Sequence, residues 1–202
     1  MTNLKWELLT QTDYVTTRWS GGTTTQLAIA PEGAVYAGRD FLWRLSSAKV
    51  EVERSDFTPL PDYNRLISIL DGQLEMKIGD GERCLLEPLQ VCSFDGGTPV
   101  ESWGKCTDFN LMLRKGACEG TVQGLGLPPA SGVAWAPPVP APQSFSRLTL
   151  AIYCASGSVS ILDTGLTARA GELLLCRRGE NCPVPLATTD GAALLAAAIY
   201  AK

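Results

Sequence analysis

The architecture follows from a short stretch in the first half of the chain, LDGQLE at residues 70–75, which is followed after a turn by LLEPLQVC at residues 85–92. A second pair of stretches has the same rhythm, ASGSVSI at residues 155–161 and LTARAGELLLC at residues 166–176. A strand, a glycine, a second strand, a turn and a further strand form the order of half a jelly roll. The repeat therefore predicts two jelly-roll barrels in one chain, although two unrelated β-meanders would also align this loosely.

The rest of the sequence also favours strands. Its 20 glycines and 13 prolines separate short apolar or alternating runs, and no long stripe with helical periodicity occurs. The segment GDG at residues 79–81 is a strong hairpin signal, because glycine and aspartate tolerate the backbone angles of tight turns. We predict an all-β protein.

A proline-rich segment, with PPVPAP at residues 137–142, indicates where the two halves meet. The predicted organisation is an N-terminal barrel with a ligand pocket at residues 1–123, a connector at 124–143 and a degenerate C-terminal barrel at 144–202. The N-terminal segment is a candidate to cross over and complete the second barrel.

Composition excludes several classes of function. The net charge is −4 and no run of lysine or arginine is longer than two, so neither nucleic acid nor a membrane is an expected partner. No signal peptide or membrane-length apolar segment occurs, and the seven cysteines are odd in number and form no C-x-x-C pair. These features predict a cytoplasmic protein with reduced thiols.

The chain contains no histidine. That absence excludes histidine-ligated metal sites, Ser-His-Asp and Cys-His catalysis, and the usual general base near neutral pH. A carboxylate site for Mg²⁺ remains open, but no acidic cluster suggests one. No phosphate-binding loop, dinucleotide motif or nucleophile elbow is present, so we expect no metal and no cofactor.

The first half holds the polar residues that could form a site. Gly21 and Gly22, followed by Thr23 and Thr24, offer open backbone N–H groups and hydroxyls that could hold a carboxylate or phosphate. The alternative is a glycine turn that leads into a threonine-rich strand.

Arg44 and Ser46 share one face of a strand by alternation. If that face lines a barrel interior, the guanidinium requires an anion, since an unpaired buried charge is costly. The alternative is a surface arginine paired with Glu51 or Asp56.

Arg65 begins an apolar strand, and Asn110 lies inside another. Arg65 is either a ligand-binding residue at the barrel rim or a partner of Asp62 in a structural ion pair. Asn110, whose amide must find partners, fits either binding or turn stabilisation.

Several of these stretches, taken in order, resemble the HutD/Ves family: WSGGTTTQLA at 19–28, FLWRLSSAKV at 41–50, FTPLPDYNR at 57–65, LDG at 70–72 and DFNLMLR at 108–114. The resemblance implies a bacterial bicupin, a chain of two cupin barrels, without the usual cupin metal ligands. It also implies that the protein binds a small acidic metabolite such as N-formylglutamate and regulates histidine utilisation, or a stress response as in the Ves branch. The expected ligand-binding residues are Trp19, Gly21, Gly22, Thr23, Thr24, Arg44, Ser46, Arg65 and Asn110.

Two other functions remain open at this point. One is a metal-independent cupin enzyme, an isomerase or hydrolase of a small carboxylated substrate, with Asp62, Tyr63 or Glu75 as acid or base. The other is an interaction module with a vestigial pocket and the proline-rich segment as its contact surface. A homodimer is a further expectation that the sequence leaves open.

Overall fold

The structure, a computed structural model, describes residues 4–138 and 144–202. Strands dominate both ranges, and the helical structure within them is one 3₁₀ turn, η1, at Tyr36–Gly38. The prediction of an all-β protein is therefore confirmed. No helix in these two ranges has the length and apolar character needed to cross a membrane.

Most of the strands are short, as the frequent turn residues predict, whereas β14 has 15 residues. Those before residue 118 are β1 (Glu7–Leu9), β2 (Val15–Trp19), β3 (Gly22–Ala30), β4 (Trp43–Val50), β5 (Arg54–Asp56), β6 (Tyr63–Gly72), β7 (Leu74–Ile78), β8 (Arg83–Leu86), β9 (Val91–Asp95), β10 (Val100–Trp103) and β11 (Cys106–Arg114). Those after it are β12 (Cys118–Leu127), β13 (Ser131–Trp135), β14 (Arg147–Ile161), β15 (Leu166–Arg169), β16 (Leu173–Cys176), β17 (Val184–Thr188) and β18 (Ala192–Ala201).

The chain forms two compact units. Tyr14–Ala117 is the central unit, and the described residues of 1–13 together with Cys118–Lys202 are the terminal unit. The N-terminal residues belong with the C-terminal half because β1 pairs antiparallel with β16 and covers its edge. The units therefore differ from the expected ranges of 1–123 and 144–202.

The described part of the expected connector, residues 124–138, is mostly strand. These strand residues belong to β12, which pairs with β18, and to β13, which pairs with β17. Prolines 128 and 129 lie between these two strands, where a missing N–H does not interrupt a ladder. Residues 139–143 lie outside the described residues.

The central unit consists of two packed sheets. The larger has the order β2-β3-β4-β11-β6-β9, and the smaller has the order β5-β10-β7-β8. A buried apolar cluster fills the space between them, with Ile67 and Ile69 from the larger sheet and Leu74, Met76 and Val100 from the smaller. Alternate residues of each strand face this interior.

Two glycines explain the sequence repeat. Gly72 (φ +81°) ends β6, and Gly157 (φ +73°) lies inside β14, where the chain passes from one set of partner strands to another. A Cβ atom at Gly72 would lie 2.4 Å from the Lys105 carbonyl oxygen, and one at Gly157 would lie 1.9 Å from that of Gly191. At each of these two glycines, which we call the corner glycines, two backbone segments approach more closely than a side chain would allow.

The pairing of strands is also repeated. In the central unit β11 pairs with β4 and β6, β6 with β9, β7 with β8 and β10, and β10 with β5. In the terminal unit β18 pairs with β12 and β14, β14 with β16, β15 and β17, and β17 with β13. The segment β4–β11 thus has the same connectivity as the segment β12–β18, if the long strand β14 is taken to correspond to β6 and β7 together.

Candidate functional site

The central unit contains a cavity of about 270 Å³. Its lining combines polar and charged side chains with apolar and aromatic ones. The residues that line it are Thr17, Trp19, Thr24, Tyr36, Arg44, Ser46, Ala48, Val50, Ser55, Asp56, Phe57, Thr58, Arg65, Asp108, Asn110 and Met112.

Strand register brings the polar residues together. In the larger sheet β11 lies between β4 and β6, and Met112 is opposite both Arg44 and Arg65. Two residues earlier, Asn110 is opposite Ser46. Since residues at i and i+2 of a strand share a face, these side chains form one patch on the inner face of the sheet.

Arg44 is buried and well partnered. It is 4% exposed, its Nε donates to Gln26 Oε1 at 2.9 Å, and its Nη1 donates to Ser46 Oγ at 3.2 Å. Its Cζ lies 4.3 Å from the centre of the Tyr36 ring. Burial lowers the pKa of Arg44, and nearby Arg39 lowers it further, whereas Tyr36 and Asp108 act in the opposite direction.

The alternative of a surface arginine is therefore wrong for Arg44. Glu51, one of the expected partners, forms its ion pair with Lys49 at 3.2 Å.

Arg65 is buried without comparable partners. It is 7% exposed, and its guanidinium carbon lies 4.7 Å from the Phe57 ring centre and 5.3 Å from that of Phe94. Its Nε has no hydrogen-bond partner within the described residues. Burial lowers the pKa of Arg65 to about 10, so the group still carries its charge at neutral pH.

Asp108 supplies the one carboxyl group that is buried among these lining residues. Its Oδ1 accepts the backbone N–H of Ala48 at 3.1 Å. Burial raises the pKa of Asp108 to about 6, and this effect exceeds the opposing ones of that hydrogen bond and of Arg65 and Arg44. At neutral pH the buried groups of the cavity thus carry two positive charges and one negative charge.

Two buried atoms in the cavity have no hydrogen-bond partner in the part of the chain that the structure describes. They are Asn110 Oδ1, an acceptor, and Arg65 Nε, a donor. Leaving such a group unpaired costs about 1–3 kcal/mol, so unpaired atoms that converge on a cavity favour a polar ligand there.

Six of the nine expected binding residues line the cavity: Trp19, Thr24, Arg44, Ser46, Arg65 and Asn110. Gly21, Gly22 and Thr23 are not among the lining residues. Gly21 belongs to the two-residue turn between β2 and β3, and a Cβ atom there would lie 2.1 Å from the Trp19 ring. At these three positions the structure favours the glycine turn into a threonine-rich strand over an anion-binding loop.

Tyr36, Phe57 and Asp108 line the cavity although the sequence did not select them. Asp108 could have been found, because it shares a strand face with Asn110. Phe57 could also have been found, because it begins the family motif at 57–65. Tyr36 could not, because it comes from a connecting segment without periodicity.

The acid and base candidates lie elsewhere. The Tyr63 hydroxyl is 2.9 Å from the Phe41 carbonyl oxygen, Glu75 pairs with Arg83 at 3.1 Å, and Asp62 is exposed. None of the three lines the cavity. Across the part of the chain that the structure describes, no group of three or more cysteine, aspartate or glutamate side chains could hold a metal ion.

The terminal unit has different side chains at the matching positions. By strand register, Thr121, Gln123, Leu150, Leu194 and Ala196 correspond to Arg44, Ser46, Arg65, Asp108 and Asn110. Leu150, Leu194 and Ala196 belong to a buried apolar cluster. Trp135, also in that cluster, donates its Nε1–H to Gln123 Oε1 at 3.1 Å. The charged cavity is therefore a property of the central unit.

Comparison with solved structures places the fold. Chains similar to this one include PA5104, a conserved protein of unknown function from Pseudomonas aeruginosa PAO1, with a TM-score of 0.74 at 22% identity over 98% of this chain and 100% of that chain. HutD from Pseudomonas fluorescens SBW25 has a TM-score of 0.70 at 21% sequence identity, over 96% of this chain and 98% of that chain. YhhW from Escherichia coli has a TM-score of 0.66 at 8% sequence identity, over 96% of this chain and 97% of that chain. These likenesses show a cupin-like fold.

At the level of sequence, no curated protein matches the chain significantly. The family model described as HutD matches residues 11–195, which is most of the chain. The resemblance drawn from the five motifs is thereby confirmed, and the chain belongs to the HutD family.

Proposed function

We propose that the central unit binds a small acidic metabolite and that the guanidinium groups of Arg44 and Arg65 hold its carboxylates. The observation that carries this proposal is the burial of both arginines in one cavity, where the Nε of Arg65 has no hydrogen-bond partner among the described residues. A planar guanidinium can bind a carboxylate through two parallel hydrogen bonds.

The cavity also sets the kind of acid. Its volume of about 270 Å³ lies near the lower end for ligand sites, which suits a small metabolite. Asn110 Oδ1 requires a donor, and an amide N–H in the ligand would supply it. N-formylglutamate carries two carboxylates and one amide N–H, so it is the type of ligand that we propose.

We further propose that the protein regulates histidine utilisation, or a related stress response, by sensing such a metabolite. Membership of the HutD family supports this role. Location in the cytoplasm and a homodimer stay predictions.

We infer that the two units are two cupin barrels of one duplicated fold, that is, a bicupin. The matching strand connectivity and the two corner glycines support this inference. In an experimental structure, β4–β11 and β12–β18 should superpose strand for strand. A terminal unit with a different strand order would contradict the duplication.

A second candidate function is an enzyme without a metal. Asp108, with its pKa raised to about 6 inside the cavity, could accept a proton from a water molecule that attacks the formyl carbon of a bound N-formyl amino acid, with formate and the free amine as products. Incubation with N-formylglutamate and measurement of released formate tests hydrolysis. Turnover by the wild type that Asp108→Asn abolishes would favour the enzyme over the binding protein.

The binding proposal is tested by calorimetry with N-formylglutamate, glutarate and, as an uncharged control, glutaramide. We expect the two acids to bind and the diamide to fail, since it offers no negative charge. Arg44→Gln and Arg65→Met should each weaken binding at least tenfold, the loss of about one charge-assisted hydrogen bond.

Arg83→Gln is the matched control. Arg83 belongs to the same unit, but it is exposed and pairs with Glu75 outside the cavity. The dissociation constant should therefore stay unchanged in this variant. Equal binding by wild type and Arg65→Met would remove Arg65 from the site, and no binding of either acid would refute the proposal.

A further inference from the structure

A loop over the site is held from outside the cavity. Residues 31–42 connect β3 to β4 and include η1, and the loop closes through the Leu42 N–H, which donates to the Ala30 carbonyl at 2.6 Å. Tyr36 of this loop lines the cavity. Its ring centre lies 4.3 Å from the Arg44 guanidinium carbon and 4.0 Å from that of Arg39.

The loop includes a backbone conformation that is costly by itself. Arg39 has φ +54°, in the left-handed region that residues with a side chain rarely adopt. Such a conformation persists only where surrounding contacts determine it. The contacts around Arg39 are therefore informative.

Two side chains supply those contacts. Arg114 donates from Nη2 to the Arg39 carbonyl at 2.6 Å and from Nε to the Phe41 carbonyl at 2.9 Å. The Tyr63 hydroxyl lies 3.0 Å and 2.9 Å from the same two oxygens, and Arg114 Nη2 donates to it at 2.8 Å. The Tyr63 ring stacks on Phe41 with a centroid separation of 4.4 Å. We call Arg114 and Tyr63 the clasp.

Neither clasp residue lines the cavity, although both lie in motifs, at 57–65 and 108–114, that also supply cavity residues such as Arg65 and Asn110. We propose that Arg114 and Tyr63 are positioning residues, which hold residues 36–41 so that Tyr36 stays on Arg44 and closes one wall of the cavity. This inference rests on the proposed function for its effect on binding, whereas its effect on the loop is independent of any ligand.

The first test measures the loop directly. Hydrogen exchange followed by NMR reports on the amides of Gly38 and Arg39, which donate to Val35 and Tyr36 at 3.0 and 3.3 Å. We expect Arg114→Met to accelerate both by at least about tenfold. The core amide of Ile67 should keep its rate, which separates a local effect from general destabilisation. Unchanged exchange at Gly38 and Arg39 would overturn the proposal.

The second test measures binding of N-formylglutamate by calorimetry. We expect Arg114→Met to raise the dissociation constant about 3- to 10-fold, the size of a lost cation–π contact. In a Tyr36→Leu background the same substitution should have no further effect, because the ring through which the clasp acts is gone. The proposal would be overturned if Arg114→Met had an equal effect in both backgrounds. It would also be overturned if the wild type bound N-formylglutamate and Arg114→Met left the dissociation constant unchanged.

Two further variants accompany these tests, one as an alternative to Arg114→Met and one as a control. Tyr63→Phe removes only the hydroxyl and keeps the ring stack, so it should fold and give a smaller change in the same direction if Arg114→Met does not fold. Arg147→Met is the matched control, since Arg147 also donates to a backbone carbonyl, that of Lys202 at 2.8 Å, but in the terminal unit. If the wild type fails to bind N-formylglutamate, the proposed function fails, and the exchange rates alone decide the clasp.

Discussion

Arg44 and Arg65 are both buried, but their surroundings differ, and we expect them to have opposite effects on stability. Arg44 donates hydrogen bonds to Gln26 and Ser46. Arg65 lies against two phenyl rings, and its Nε has no hydrogen-bond partner among the described residues. Removal of a bonded group leaves its partners unsatisfied, while removal of an unpaired buried charge relieves a desolvation cost. We therefore expect the protein without ligand to become more stable when an apolar side chain replaces Arg65.

We expect Arg65→Met to raise the free energy of unfolding by about 1 kcal/mol and Arg44→Met to lower it by about 1–2 kcal/mol. Urea denaturation at pH 5, where Asp108 is largely protonated and its attraction to arginine is weak, measures both changes. Destabilisation of similar size in the two variants would mean that Arg65 has stabilising contacts equal to those of Arg44.

Asp108 makes stability depend on pH. Burial raises its pKa from 3.8 to about 6, so the folded protein holds this proton more tightly than the unfolded chain does. The contribution of Asp108 to stability is therefore fully present below about pH 4, decreases between pH 4 and pH 6, and is lost above that. The change amounts to about 3 kcal/mol.

Asp108→Asn removes this titration and keeps an oxygen that can accept the Ala48 N–H. We expect the variant and the wild type to be similar in stability at pH 4 and the variant to be more stable by about 2–3 kcal/mol at pH 7. Urea denaturation at the two pH values gives the difference, in which the contributions of surface carboxylates cancel. A variant that is less stable than the wild type at pH 7 would show that the arginines outweigh burial.

At the level of elements, the corner glycines control how each strand passes to its next partners. Gly157 combines a positive φ with a carbonyl oxygen 1.9 Å from the place of a Cβ atom. Gly126 in β12, also in the terminal unit, has open space there. The effect of a glycine-to-alanine substitution on stability therefore depends on the position of the glycine.

We expect Gly157→Ala to destabilise the protein by at least about 3 kcal/mol, because the backbones of β14 and β18 must separate. Gly126→Ala should change stability by less than about 1 kcal/mol. Denaturant unfolding of the two variants provides the comparison. A small effect at Gly157 would mean that the corner adapts and that the repeat of glycines is not a structural requirement.

On the scale of the whole molecule, one connectivity supports two kinds of interior. The central unit keeps charged groups around a cavity, whereas Thr121, Leu150 and Leu194 occupy the positions in the terminal unit that match Arg44, Arg65 and Asp108. Stability and binding should therefore be separable between the two units. Leu150, which corresponds to Arg65 and is fully buried, offers the test.

Leu150→Ala should lower the free energy of unfolding by about 2–5 kcal/mol, because it leaves a cavity in a packed core. The dissociation constant for N-formylglutamate, measured by calorimetry on the folded variant, should remain that of the wild type. A weakened affinity would show that the packing of the terminal unit contributes to the shape of the site.

The amino-acid sequence by itself determined that the protein is all-β. It also predicted similar stretches around Gly72 and Gly157 and, through the family motifs, one site with Arg44, Arg65 and Asn110. Turn residues and period-2 alternation are local properties, and the family motifs are read along the chain, so no contact between distant residues is needed for these conclusions.

Only the tertiary structure decided which face of each strand is enclosed, that β1 joins the C-terminal half, and that residues 118–135 are mostly strand rather than connector. It also brought Tyr36, Phe57 and Asp108 to the arginines and left Gly21, Gly22 and Thr23 in or beside a turn. The physical reason is that alternation defines two faces without saying which is buried, since burial depends on the strands that pair alongside. Those partners lie tens of residues away, and their register exists only once the sheet has formed.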